Sequence, residues 1–291
     1  MRILFIKSCM HHKNLNFILK CKQIQFHVIN NVNEMYNLNL HDYDAVYSPC
    51  EPVYASNYPY LKFIFGPHFS VFPEDHQMKL IKSPNTVYIQ PSDWARDIWA
   101  NNPLCNGIKL VSQPFGVDTD RFRENKPISE RDLVFVYYKS RRPEELQLVE
   151  NFLRSKNINY RIFSYRNRYD ENEYIHYLQN SKFGFWLDAH ESQGFALEEA
   201  LSCNVPLIVW NITSMNQEYG QNYADIPATT IPYWNDKCGE FFYNSSELEK
   251  TFDTFIAKIN DYNPREYVLE HLSISACEEK MIKLVDSIKS I

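Results

Sequence analysis

Short apolar runs separated by longer polar stretches set the rhythm of this chain. In its first part the runs fall at 3–6, 26–29, 45–47, 61–65, 87–89 and 108–111. Each is too short for a buried helix and ends in polar or turn-forming residues, so each predicts a strand of an open α/β sheet with short connecting helices. Helical character here is clearest over 11–20, a mildly basic stretch that reads as a solvated helix face or as a contact for an anionic membrane surface or phosphate-bearing acceptor. The rhythm resumes further on, with strands expected at 133–138, 159–163, 183–187 and 207–210 and helices at 144–154, 173–180, 247–259 and from 263 onward. Segments 230–234 and 238–242 read as a short strand and a turn, and 277–291 is amphipathic.

This pattern divides the chain into a first Rossmann-like domain over 1–122, a polar linker over 123–131 containing Pro127, and a second Rossmann-like domain over 132–291. At 291 residues and 44% hydrophobic content, both halves have enough apolar surface for a core of their own. The net charge of −6 argues against a general nucleic-acid binder, which needs a basic surface to displace counterions. Seven scattered cysteines without a Cys-x-x-Cys pair read as reduced thiols. The apolar run at the N-terminus is too short for a signal-peptide core and no stretch has transmembrane length, so the expected location is the cytoplasm.

The richest chemistry lies at Glu191-Ser-Gln-Gly-Phe-Ala-Leu-Glu-Glu199-Ala-Leu-Ser-Cys-Asn-Val-Pro206. Gly194 opens a helix, Ala196, Leu197, Ala200 and Leu201 give it an apolar stripe, and Asn204-Val-Pro206 stops it before the run at 207–210. Glu191 and Glu199 frame the helix start, separated by at most about 12 Å at roughly 1.5 Å per residue. Backbone N–H groups open toward an anion between them. The helical wheel turns Glu198 off the Glu199 face, so Glu198 is expected to be dispensable. Lys139-Ser-Arg-Arg142 follows the strand at 133–138, where cations can neutralise a diphosphate.

The Glu191-x7-Glu199 segment and its Ala-Leu-Ser-Cys-Asn-Val-Pro continuation resemble the E-x7-E segment of the retaining GT-B glycosyltransferases of the large group-one family. Leu201 and Asn204 depart from its usual Met and Gly. Gln113-Pro-Phe-Gly-Val-Asp-Thr-Asp-Arg-Phe122 is similar to the segment closing the first domain in that family, with Phe115 for the usual Asn. The resemblance implies two Rossmann-like domains facing a central cleft, with a terminal helix that often crosses back to the first.

It also implies sugar transfer from a nucleotide-sugar donor, UDP- or GDP-linked, to a glycan, lipid-linked or protein acceptor hydroxyl. Retention of the anomeric configuration is implied, with no metal and no cofactor besides the donor. On this reading Glu191, His68, Lys139 and Arg141 are the catalytic candidates. Glu199, Ser192, Gln193, Gly194, Phe195, Tyr165 and Arg142 are the donor-binding candidates, with Tyr165 in the loop 164–168, where the family holds the base. The family's Lys five residues after the strand-end cation is Glu144 here, which leaves the second positive charge to Arg141 or Arg142. Trp94 and Trp99 are expected to pack a helix. A GT-B epimerase or phosphorylase, and a binding module without catalysis, are the alternatives.

Overall fold

The computed structural model of the chain describes residues 1–167 and 169–289; Arg168 of the expected base-holding loop and the last two residues of the 277–291 segment lie outside the described residues. Two compact units emerge: Met1–Gly116 together with the segment from Leu272 onward, and Val117–His271.

The first unit is built on six parallel strands: β1 (Arg2–Ile6), β2 (Gln25–Ile29), β3 (Ala45–Ser48), β4 (Lys62–Phe65), β5 (Thr86–Gln90) and β6 (Leu110–Ser112). Their order is β2-β1-β3-β4-β5-β6. Helices α1 (His12–Lys20), α2 (Val32–Met35), α3 (Asp75–Ile81) and α4 (Asp93–Ala100) connect them. β3 and β5 are buried at every position, which is why they read as unbroken apolar runs instead of alternating patterns. On one face Leu4, Val46, Phe63, Phe65 and Tyr88 form a core. Trp99 of α4 stacks on Tyr88, with centroids 4.4 Å apart. Phe115 is fully buried and meets Phe17 of α1 edge-on.

The second unit runs β7 (Leu133–Tyr138), α5 (Pro143–Ser155), β8 (Arg161–Ser164), α6 (Glu171–Asn180), β9 (Ser181–Leu187), α7 (Phe195–Ser202), β10 (Leu207–Trp210), β11 (Gly239–Phe242), α8 (Leu248–Ala257) and α9 (Pro264–His271). All five strands are parallel, in the order β11-β10-β9-β7-β8. Val134, Val136, Phe183, Phe185, Ile208 and Phe252 fill one face. On the other, Tyr137 stacks on Trp186 with centroids 4.0 Å apart. The stretch 123–131 belongs to this unit: buried Arg131 donates to the carbonyls of Lys126 at 2.8 Å and Cys203 at 3.0 Å.

The expectation at 230–234 and 238–242 is corrected. Residues 230–234 form no strand, and Gly239–Phe242 is the edge strand. Pro232 has no N–H to give a ladder, and the Thr230 N–H donates to Asn211 Oδ1 at 2.9 Å. Residues 239–242 instead pair along β10 from Leu207 to Trp210.

α10 (Ile274–Asp286) packs on the first unit. Its Glu278 accepts from the backbone N–H groups of Gln23 at 2.6 Å and Ile24 at 2.9 Å, just before β2. The approach demands a glycine at 116, because a Cβ there would lie 2.4 Å from the Cα of Ile274. Among the described residues no helix is long and apolar enough to cross a membrane.

Candidate functional site

The strand order of the second unit creates its own site. From β7 the chain leaves toward β8 on one side, and from β9 toward β10 on the other, so the turns after β7 and β9 diverge and open a crevice at the carboxyl ends of the strands. Lys139 follows β7 directly, its N–H extending the ladder to the Leu187 carbonyl at 2.9 Å. Asp188, His190 and Glu191 follow β9.

Three side chains meet there. Lys139 Nζ bonds to Glu191 Oε1 and lies 3.8 Å from Asp188 Oδ2, with side-chain exposures of 24%, 19% and 1% respectively. One cation thus serves two carboxyls. Burial disfavours the charge on Asp188, and the neighbouring Glu191 adds repulsion that Lys139 does not cancel; its carboxyl is held well above the usual range. Burial also disfavours charge on Glu191, but the direct bond to Lys139 outweighs it and draws that carboxyl below its ordinary range. Burial works against the Lys139 charge as well, and the two carboxyls overcome it and raise the ammonium above its ordinary value. The result is a Lys139–Glu191 ion pair beside the buried Asp188 carboxyl, whose Oδ1 accepts from the Ala189 N–H at 2.7 Å.

The neighbours are aromatic and polar. The exposed Tyr165 ring sits with its centroid 5.0 Å from Lys139 Nζ. His190 Nδ1 is 3.3 Å from Glu218 Oε2, and its ring packs edge-on against Tyr223. Burial keeps His190 below its ordinary value despite the attraction of Glu218. Asn211, after β10, pins the 229–230 segment over the strand ends by accepting from the Thr230 N–H at 2.9 Å and the Thr229 hydroxyl at 3.0 Å.

Arg141 is not in the crevice. Its side chain is 1% exposed and donates to the Trp210 carbonyl at 2.7 Å, the Asp188 carbonyl at 3.2 Å and both carboxylate oxygens of Glu145. Ser140, at φ 50°, turns the chain so that Lys139 and Arg141 diverge. Arg142 is exposed at the start of α5, where its N–H donates to Glu145 Oε2 at 2.9 Å.

Past β9, Gly194 adopts φ 90°, a left-handed conformation that starts α7. A Cβ there would find only ordinary contact, 3.5 Å to Glu191 Cβ, so the backbone angle and not space calls for glycine. Ser192 is exposed, Phe195 half-buried and Glu199 4% exposed. Glu198, expected to be dispensable, is wholly buried and accepts from Gln193 Nε2 at 3.0 Å. α7 is enclosed on both of its carboxylate-bearing faces, which a helical wheel cannot reveal.

His68 lies in the first unit, two residues beyond the Gly66 that follows β4. Its N–H donates to the Pro49 carbonyl at 2.9 Å, while Nε2 is buried with no hydrogen-bond partner among the described residues. Burial, aided by His11, pushes the imidazole down to about 4, so it is neutral at pH 7. The structure therefore brings Lys139, Glu191 and Tyr165 together around Asp188, with Gly194 opening the adjoining helix.

A cavity of about 480 Å³ adjoins the carboxyl end of β8, lined by Tyr138, Leu146, Ser164, Asn167, Tyr169 and Glu173 among others. Among the described residues no group of three or more His, Cys, Asp or Glu side chains is arranged to hold a metal ion. Sequence reasoning brings Asp188 to the site at the end of β9 but misses its approach to Lys139, and it misses Asn211 as the pin and the loop contacts of Tyr219. None carries a local signal, since each acts through residues distant in the chain.

Compared by sequence, the chain matches no family model and no curated protein. Solved structures share its architecture. It is similar over 99% of its length to 97% of the Candida albicans trehalose-6-phosphate phosphatase N-terminal domain, with a TM-score of 0.63 and 9% identity. It is similar over 99% of its length to 99% of the lipopolysaccharide outer core galactosyltransferase WaaB, with a TM-score of 0.54 and 14% identity. WaaG, a glycosyltransferase of lipopolysaccharide biosynthesis, aligns over 99% of this chain at a TM-score of 0.48 and 9% identity. The fold is thus α/β with two Rossmann-like units, as in GT-B glycosyltransferases.

Proposed function

We propose that the protein transfers a sugar from a nucleotide-sugar donor to an acceptor hydroxyl with retention at the anomeric carbon. The observation that carries this reading is the Lys139–Glu191 pair, backed by Asp188, at the switch point of the second sheet and followed at once by the Gly194-opened helix. The fold shared with a galactosyltransferase supports it.

In the reaction, the bond between the anomeric carbon and the β-phosphate oxygen breaks, and negative charge grows on the leaving diphosphate. Lys139 and the N–H groups opening α7 stabilise that charge. Glu191 accepts hydrogen bonds from donor-sugar hydroxyls, and its carboxylate favours the oxocarbenium-like sugar. The acceptor hydroxyl attacks from the face the diphosphate leaves, and its proton passes to the departing phosphate oxygen. The cavity beside Tyr169 and Asn167 takes the nucleobase, Tyr165 of the same loop is the stacking candidate, and Glu199 serves the ribose side. His68 is the acceptor-side candidate, a neutral imidazole able to hydrogen-bond a sugar hydroxyl. The donor carrier is UDP or GDP. The acceptor is a glycan, lipid-linked or protein hydroxyl, with glycan acceptors first to test given what WaaB acts on. We read the enzyme as cytoplasmic, needing no metal or cofactor besides the donor.

The test is release of nucleoside diphosphate from a panel of UDP- and GDP-sugars, with the anomeric configuration of the product read by NMR. Glu191→Gln should lower turnover by 100-fold or more. Glu249→Gln, on the exposed face of α8, should leave it unchanged. Tight nucleotide binding with no turnover on any donor would sink the transferase reading in favour of a binding module, and an inverted product would sink retention.

A further inference from the structure

The burial of Arg141 leaves the turn after β7 short of positive charge. Lys139 is offset by Glu191 and Arg141 by Glu145. A diphosphate arriving above β7 meets no net positive charge from positions 139 and 141.

Another cation stands beside this turn, supplied by the loop after β8. Tyr165 of that loop lies over Lys139, and the next residue, Arg166, has its guanidinium carbon 5.8 Å from the centre of the Tyr219 ring. Tyr219 is in turn fixed to the turn, its N–H donating to the Ser140 carbonyl at 2.8 Å. The residue after it, Gly220, faces the same guanidinium: a Cβ there would lie 3.6 Å from a terminal nitrogen of Arg166. Tyr138 closes the circle, donating its hydroxyl to the Arg141 carbonyl at 2.7 Å and lying within the field of the Arg166 charge. Arg166 is exposed and, among the described residues, has no carboxylate within ion-pair distance, unlike Lys139, Arg141 and Arg161, the last paired with Glu173 at 2.6 Å. A guanidinium resting on an aromatic ring keeps its N–H fork free for phosphate oxygens.

We propose that Arg166, held by the Tyr219 ring, is the second cation that binds the diphosphate of the donor, in the role the sequence assigned to Arg141. This rests on the transferase reading and names the group that completes its anion site. Arg142 is also exposed beside α5, but among the described residues no contact holds its side chain toward the turn as Tyr219 holds Arg166.

Calorimetric titration of UDP, GDP, uridine and guanosine into the full-length protein tests it. Arg166→Gln should weaken the preferred diphosphate about 10- to 100-fold, as expected for loss of one charge-assisted contact, and leave the matching nucleoside unchanged. Arg166→Lys should fall between the two, and Tyr219→Leu should weaken the diphosphate by a smaller factor than Arg166→Gln. The dependence of affinity on salt should flatten in Arg166→Gln. Arg154→Gln, an exposed cation of α5 paired with Glu150, controls for overall charge and should stay within about twofold of wild type. If wild type binds the diphosphate and Arg166→Gln binds it equally well, Arg166 is not the cation, and the transferase reading stands. If Arg166→Gln weakens nucleoside and diphosphate by the same factor, the effect is not on the phosphates and the proposal falls. If wild type binds no diphosphate, the transferase reading fails and this inference goes with it.

Discussion

Replacing Arg141 by methionine separates a structural brace from a ligand-binding cation. The guanidinium is 1% exposed and joins the start of α5 to the carbonyls that close β9 and β10. Methionine fills much of the volume and donates nothing. Removing one partner of a buried ion pair costs about 3–5 kcal/mol, and the lower end applies because Glu145 is 23% exposed and keeps the Arg142 N–H. The Trp210 carbonyl loses its 2.7 Å donor, which adds about 1 kcal/mol, whereas the Asp188 carbonyl keeps the Thr230 hydroxyl at 3.2 Å. The expected loss is about 4 kcal/mol, or about 8–16 °C in Tm for a unit of this size. Differential scanning calorimetry reads it directly. Arg141→Met with Glu145→Leu should recover part of the loss, because no lone carboxylate then remains. At a temperature where the variant is folded, its affinity for a nucleoside diphosphate should stay within a few-fold of wild type. A variant melting within about 2 °C of wild type but binding diphosphate tenfold more weakly would refute the brace and return Arg141 to the ligand.

His68 should make stability depend on pH. Its imidazole takes a proton near 6.5 when unfolded but only at about 4 when folded. Between those values the unfolded chain binds more protons, so stability present above pH 6.5 is lost as pH falls toward 4, by at most about 3 kcal/mol. Urea unfolding at pH 7.5 and 4.5 should show a smaller drop for His68→Gln, and equal drops would remove His68 as the cause. Gly194→Ala should cost about 1–2 kcal/mol through its φ of 90° alone, since the added methyl finds room. A melting temperature unchanged by that substitution would mean the backbone angle relaxes without cost.

The fold was readable because its parallel strands are covered on both faces. β3, β5 and β10 bury every residue, and such strands announce themselves as unbroken apolar runs. Legibility fell where burial fell. β8, with an exposed Arg161, starts two residues later than its sequence suggests, and 238–242 reads as a turn because Gly239 and Glu240 break the apolar run of β11. What makes β11 a strand is the partner beside it, and pairing across 32 positions, from Leu207 to Gly239, leaves no local trace. The helix at 274–286 was legible as an amphipathic stretch, but the fit of its first residue against Gly116 was not.

The site shows a sharper limit, because charge written in a sequence is not charge in a field. Lys139, Arg141 and Arg142 look alike as a basic cluster after a strand. The left-handed turn at Ser140 sends the first into the crevice and the second into the interior, and a serine at φ 50° gives no warning of it. Asp188 and Glu191 look alike as acids, yet burial and the neighbouring Glu191 hold Asp188 well above the usual carboxylate range while Lys139 draws Glu191 below it. As a unit the Lys139–Glu191 pair carries no net charge, so it offers a ligand a directed dipole. A bare diphosphate engages only the lysine end and competes with Glu191 for it. A sugar diphosphate draws Lys139 with its phosphate and hands Glu191 a hydroxyl in exchange. On the proposed function this is a source of selectivity for intact donor over product. It would act without any contact to the sugar beyond that one carboxylate.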